Sequence, residues 1–282
     1  MTEHYLTLMG LRTLLRTPHE ITISENLRPF LSAPHTQLDC TIELQSLDRL
    51  PELSDGGLWN GPEFYDRHQG VLRNFHCDTK SSVPFAVTEH LENGNIQIRV
   101  LPEYLHYFSG TSGILNRIGL ETLLLQHYGL LLHASLIKYN NICLAFAGPS
   151  GIGKSTQADL WQQHFAAQIL NGDRAAVRKE ADGWIAYGSP CAGTSGIYKN
   201  DSAPLFAIIL LGHAQENRLQ RLSATEAFRY LYPELSIHHW DKDFVAQATD
   251  LAIALLGEVP VYRLDCLPDE SAAVVLKKGL ML

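Results

Sequence analysis

The sequence predicts a protein of the α/β class with mixed α+β character. A domain carrying a glycine-rich loop on a mixed sheet follows a mainly antiparallel β module. Three observations carry this. The first 110 or so residues alternate apolar and polar side chains in short runs, as in Leu38, Cys40, Ile42 and Leu44. A glycine-rich loop at 148–155 stands between an apolar strand and a stretch suited to a helix. Beyond it helices and strands mix without strict βαβ repetition. At 282 residues, 45% of them hydrophobic, the chain has enough apolar surface for one large or two medium domains.

The β module is assigned to residues 1–112. Within it Asn93-Gly94 separates Phe85–Leu91 from Ile96–Val100 as a hairpin turn does. The second domain is assigned to 113–282. Ile114, Leu115, Ile118, Leu120 and Leu123–Leu125 make one helical face, and Gly129 stands where a C-terminal stop belongs. Leu130–Tyr139, the Asn140-Asn141 turn and Ile142–Ala147 read as a β-hairpin leading into the loop. A helix from about Lys154, a strand at Ala167–Leu170, a hairpin turning at Ala181-Asp182-Gly183 and a buried strand at Leu205–Leu211 follow. Ser223-Ala224-Thr225-Glu226 offers a capping box. The chain ends in helix Asp241–Leu256, strand Val259–Leu267 and helix Asp269–Lys278.

Composition narrows the function. With 22 basic against 30 acidic residues the net charge is −8, which argues against nucleic acid as a partner, so any anion must be held locally. The five cysteines are scattered and include no C-x-x-C pair, which fits reduced thiols in a cytoplasmic protein. Met1-Thr2-Glu3-His4 does not open an export signal, and Leu205–Leu211 is too short to span a bilayer, so no membrane association is expected. Self-association into a homo-oligomer is left open.

Gly148-Pro149-Ser150-Gly151-Ile152-Gly153-Lys154-Ser155 fits G-x-x-x-x-G-K-[S/T] at every fixed position. The bare pattern arises by chance in roughly one chain of this length per hundred. The glycines let backbone N–H groups turn inward on phosphate oxygens, and the following helix adds its positive end. Lys154 is expected to reach the β- and γ-phosphates, and Ser155 to bring a hydroxyl to magnesium. The expected ligands are therefore ATP and Mg2+. The binding set is Gly148, Pro149, Ser150, Gly151, Ile152, Gly153, Lys154, Ser155 and Thr156, the last as a helix residue.

The apolar strand Leu205–Leu211 ends in Gly212-His213, so it lacks the acid that closes the magnesium site of common ATPases. Asp173, after Ile169-Leu170-Asn171-Gly172, is the nearest acidic candidate. It suits a metal contact or a general base, or the cap of a turn. His133, in the first strand of the hairpin, can approach Asp173 or serve as an ordinary hairpin histidine. Gly188–Gly196, rich in small residues and hydroxyls, reads as a close-approach loop or a plain surface loop. His238-His239 lacks a third metal ligand at a useful spacing, and Asp241 fits a helix cap.

Taken together, His133-Ala134-Ser135, the hairpin, the loop and Asn171-Gly172-Asp173-Arg174 resemble the core of the HPr kinase/phosphorylase-related kinases. Their fold is similar to that of phosphoenolpyruvate carboxykinase. The resemblance covers roughly residues 130 to 212 and continues more weakly to the end. It implies kinase activity, with acid/base catalysis at Asp173 assisted by His133 and Lys154. Gly172 stands where that family has a first aspartate, and Thr156 where its bacterial members usually have glutamate. The segment Leu132-His133-Ala134-Ser135 and the Gly-Pro-Ser-Gly loop look closer to a divergent branch. Some members of that branch phosphorylate ribosomally made peptides, including lasso-peptide precursors. The implied acceptor is a serine-type hydroxyl of a peptide or protein. The alternative is a partner protein that binds ATP and regulates another protein without catalysis.

Overall fold

The computed structural model describes residues 1–282. The chain is mixed α+β, with two mixed sheets in two compact units, Met1–Gln126 and His127–Leu282.

The first unit holds β1 (Thr2–Leu8), β2 (Leu11–Thr17), β3 (Cys40–Ser46), β4 (Leu58–Asn60), β5 (Glu63–His68), β6 (Val71–Cys77), β7 (Pro84–His90) and β8 (Ile96–Val100). They form one sheet in the order β1-β2-β3-β8-β7-β6-β5-β4. Two of its pairings, β2 with β3 and β3 with β8, are parallel, and the rest are antiparallel. The β7–β8 hairpin turns at Asn93-Gly94 as expected, with the Leu91 N–H donating to Asn95 O at 2.9 Å.

The single helix expected after Gly113 is instead two short ones, α1 (Thr111–Leu115) and α2 (Leu120–Gln126). Gly119, at φ 60°, separates them. The chain reverses at Tyr128, at φ 57°, and Gly129 is the first residue of the next strand rather than a helix stop. Both helices belong to the first unit: Thr111 Oγ1 accepts from the Ser24 N–H at 2.8 Å, and the Gln126 amide donates to Leu91 O at 3.1 Å. The division therefore falls after Gln126, where the sequence placed it after residue 112.

The second unit opens with β9 (Gly129–Tyr139) and β10 (Ile142–Ala147), joined by Asn140 and Asn141 at φ 44° and 63°. Asparagine tolerates that left-handed backbone, which suits the twist of a tight hairpin. Next come α3 (Lys154–Phe165), β11 (Gln168–Asn171), β12 (Arg174–Glu180), β13 (Gly183–Tyr187) and β14 (Ser202–His213). The short edge strand β15 (Arg218–Arg221) follows, then α4 (Ala224–Leu231), α5 (Lys242–Glu258), β16 (Val261–Cys266) and α6 (Glu270–Gly279). The capping box at Ser223 and Glu226 is formed, and Asp241 and Asp269 cap α5 and α6.

Strand β9 pairs with β10 along one edge and with β11 and β12 along the other. Because β12 pairs with β13, β13 with β14, and β14 with β10, the pairings close into a circuit. β10, β14 and β16 run parallel, so their C-terminal ends lie together. That end is where the glycine loop begins, since Ala147 pairs with Leu210.

On α3 the residues Lys154, Gln157, Ala158 and Trp161 are buried, the spacing of one helical face. Trp161 is fully buried in a core with Ile137, Leu144, Phe146, Ile169, Ile209, Leu264 and Leu276. The loop is thereby pinned between a central strand and a helix anchored by its largest side chain.

Candidate functional site

The loop leaves β10 at Gly148. Gly148, Gly151 and Gly153 have φ of 141°, 80° and 106°, a backbone region L side chains rarely adopt. Ideal Cβ atoms at Gly151 and Gly153 would meet nothing within 4 Å, so these glycines serve backbone conformation rather than close packing. Gly153 is the N-cap of α3 and makes no side-chain cap. The leading N–H groups of that helix therefore have no side-chain acceptor at the cap, the arrangement that receives an anion.

Lys154 heads the buried face of α3 and is only 8% exposed. Its ammonium donates to Gly148 O at 2.7 Å and Pro149 O at 3.3 Å, which holds it over the loop. An ammonium has three donors, so one remains for a ligand oxygen. Burial pulls Lys154 below the ordinary lysine range, opposed by the negative charges of Glu234 and Asp173 nearby.

Asp173 sits in the turn between β11 and β12. Asn171 builds that turn: its Oδ1 accepts from the N–H groups of Asp173 at 2.8 Å and Arg174 at 2.6 Å. Its amide donates to Ser189 O at 3.0 Å and Cys191 O at 2.9 Å, tying the turn to the next loop. A fully buried side-chain amide with both ends engaged fixes the carboxylate beyond it.

His133 lies in β9 opposite Arg174 and reaches Asp173, as the sequence allowed: Nε2 is 3.2 Å from Asp173 Oδ1. Its other nitrogen, Nδ1, is 3.2 Å from Glu234 Oε2. Sequence reasoning missed Glu234. β10 turns away into the loop after pairing Ala147 with Ala134, which leaves the edge of β9 open at Leu131 and Leu132. Leu235 bridges to Leu132 and the Ser236 N–H donates to Leu131 O at 2.9 Å, filling that edge. The preceding one-turn 3-10 helix Tyr232–Glu234 thus delivers a buried carboxylate to His133. Arg174 completes the group, with Nε 3.6 Å from Asp173 Oδ2 and Nη1 donating to Ser236 Oγ at 2.5 Å.

An imidazole between two carboxylates donates to both when doubly protonated and to one when neutral, so the row Asp173–His133–Glu234 can take up and pass on a proton.

The Gly188–Gly196 loop does approach the site closely. A Cβ on Gly193 would lie 2.6 Å from the Asp173 carboxyl carbon, and one on Gly172 would lie 2.1 Å from Ser195 Oγ. A side chain at 172 would require Ser195 to shift. β14, as expected, ends in Gly212-His213 without an acid, and the nearby Asp265 of β16 is engaged by Arg263 Nε at 2.9 Å. No group of three or more His, Cys, Asp or Glu side chains is arranged to hold a metal unaided. His238 and His239 accordingly form no such site, and no helix is long and apolar enough to cross a membrane.

No family model matches the chain, and no curated protein does. A solved structure, the Hpr(Ser) kinase/phosphatase from Coxiella burnetii, superposes on 54% of this chain and 88% of its own. It is 11% identical in sequence, with a TM-score of 0.33. So loose a superposition decides nothing about the reaction.

Proposed function

We propose that this chain is an ATP-dependent phosphotransferase that moves the terminal phosphoryl group to a serine-type hydroxyl of a peptide or protein. One observation carries the reading: a buried, loop-anchored Lys154 at an uncapped helix end lies near the Asp173–His133–Glu234 row. The first half suits a triphosphate and the second suits removal of a proton from its acceptor.

The loop N–H groups and Lys154 hold phosphate oxygens, and Ser155 at the first turn of α3 is the hydroxyl for magnesium. The ion, when bound, neutralises charge on the phosphates. Asp173 takes the proton of the acceptor hydroxyl, and His133, held by Glu234, keeps the carboxylate oriented and can share that proton. Arg174 balances the charge on the other Asp173 oxygen.

The test is transfer of label from γ-labelled ATP to serine-bearing peptides. Asp173→Asn is expected to retain nucleotide affinity and lose on the order of 10²–10⁴ in transfer rate. Equal transfer by wild type and Asp173→Asn sinks the base assignment. ATP-dependent association with another protein that survives Asp173→Asn, with no transfer at all, favours the sensor reading.

A further inference from the structure

The loop that closes over Asp173 carries hydroxyls of its own. We propose that Thr194 is an autophosphorylation site: the segment Gly193–Ser195 occupies the acceptor side of the site and takes the phosphoryl group in cis. This rests on the phosphotransferase reading above and adds a modification and a means of self-limitation to it.

The placement follows from close approach. An ideal Cβ on Gly193 would lie 2.6 Å from both Cγ and Oδ2 of Asp173, so the Gly193 backbone lies against the carboxylate. Consecutive Cα atoms are about 3.8 Å apart, which starts Thr194 within one residue length of it. The two hydroxyls of the segment differ. Ser195 is committed, donating to Ala192 O at 2.6 Å and accepting from the Ile197 N–H at 3.2 Å. Thr194 is exposed. Gly193 and Gly196, at φ 53° and 64°, bracket the pair, and a Cβ on Gly196 would meet nothing within 4 Å. The base of the turn is tied through Asn171 to Ser189 and Cys191, which keeps Thr194 beside the site.

In the step, a bond forms between Thr194 Oγ1 and the γ-phosphorus of ATP as the bond from that phosphorus to the β–γ bridging oxygen breaks. The hydroxyl proton passes to Asp173, and ADP leaves. The phosphothreonine adds about −1.5 to −2 of charge beside Asp173 and competes with it for the Arg174 guanidinium. Phosphorylated protein should then transfer to other acceptors more slowly.

The experiment incubates the full chain with magnesium and γ-labelled ATP, maps the product by proteolysis and mass spectrometry, and measures nucleotide affinity directly on the same preparation. One phosphoryl group on Thr194 is expected, with a first-order rate independent of protein concentration. Thr194→Ala should lose it with nucleotide affinity unchanged, Thr194→Ser and Ser195→Ala should retain it, and Asp173→Asn should lose it. A preparation that binds ATP and labels a peptide but leaves Thr194 bare overturns the inference and spares the phosphotransferase reading. Label on Ser195 in place of Thr194, or a rate that rises with protein concentration, also overturns it. Failure to bind nucleotide at all overturns both.

Discussion

Among single residues, charge and burial decide the behaviour of the site. Because burial lowers Lys154, against the opposing charges of Glu234 and Asp173, its ammonium deprotonates below the ordinary lysine value of 10.5. Nucleotide affinity should therefore fall on the alkaline side earlier than an exposed lysine would allow. Dissociation constants measured from neutral to alkaline pH check this, and a flat profile up to the ordinary lysine range contradicts it. Glu234 acts through His133. Glu234→Gln keeps the shape and one acceptor oxygen but removes the charge that orients the ring. Transfer should drop about tenfold to a hundredfold, less than removal of the base itself, with nucleotide affinity unchanged. A loss of affinity in this variant would show instead that Glu234 acts on Lys154 or the loop. The glycine loop before a helix and the approach of His133 to Asp173 were legible, because glycine spacing and strand position are local properties. Glu234 was not: it lies 101 residues from His133 and reaches it only because β10 leaves an edge of β9 open.

At the level of elements, the hairpin of β9 and β10 and the caps of α4, α5 and α6 were readable because turns and caps are set by a few adjacent side chains. The break between α1 and α2 was hidden by an apolar face that continues across Gly119, and β15 is too short and polar to announce itself. Truncation of the fully buried Trp161 to alanine removes the side chain that locks α3 onto β9, β10 and β14, and should cost about 3–5 kcal/mol. Denaturant unfolding measures it, and a cost below about 1 kcal/mol would show that the helix is held by other contacts. In the first unit the β5–β6 hairpin carries a buried pair, Asp66 and Arg73, whose side chains are 1% and 5% exposed. Burial pushes Asp66 up, but the Arg73 guanidinium and the Ser54 N–H together hold it below the usual carboxylate range. Stability from a lowered carboxylate is present above its unfolded pKa and is lost as pH falls through the folded one. Asp66→Asn should therefore be less stable than wild type at neutral pH, with the gap narrowing in acid. A gap that is constant with pH refutes the pairing argument.

For the molecule as a whole, the proposed function asks a chain of net charge −8 to bind a polyanion against its own field, so affinity would have to come from the loop, the helix end and one lysine. That makes ligand binding a sharp test of where the stabilising contacts lie. A ligand that binds only the folded state adds RT ln(1 + [L]/Kd), about 2.7 kcal/mol at a hundredfold excess over Kd. The unit His127–Leu282 carries the entire candidate site, and at its size each kcal/mol raises the melting temperature by about 2–4 °C. Magnesium ATP at saturating concentration should raise that melting transition by several degrees in wild type. Lys154→Ala should abolish the rise, because it removes the one buried cation of the loop. Asp173→Asn should preserve or enlarge it, because it takes a negative charge away from the phosphates while leaving the loop intact. The two variants thus separate under one measurement. Equal loss in both would mean that Asp173 serves to hold the ligand rather than to accept a proton from it.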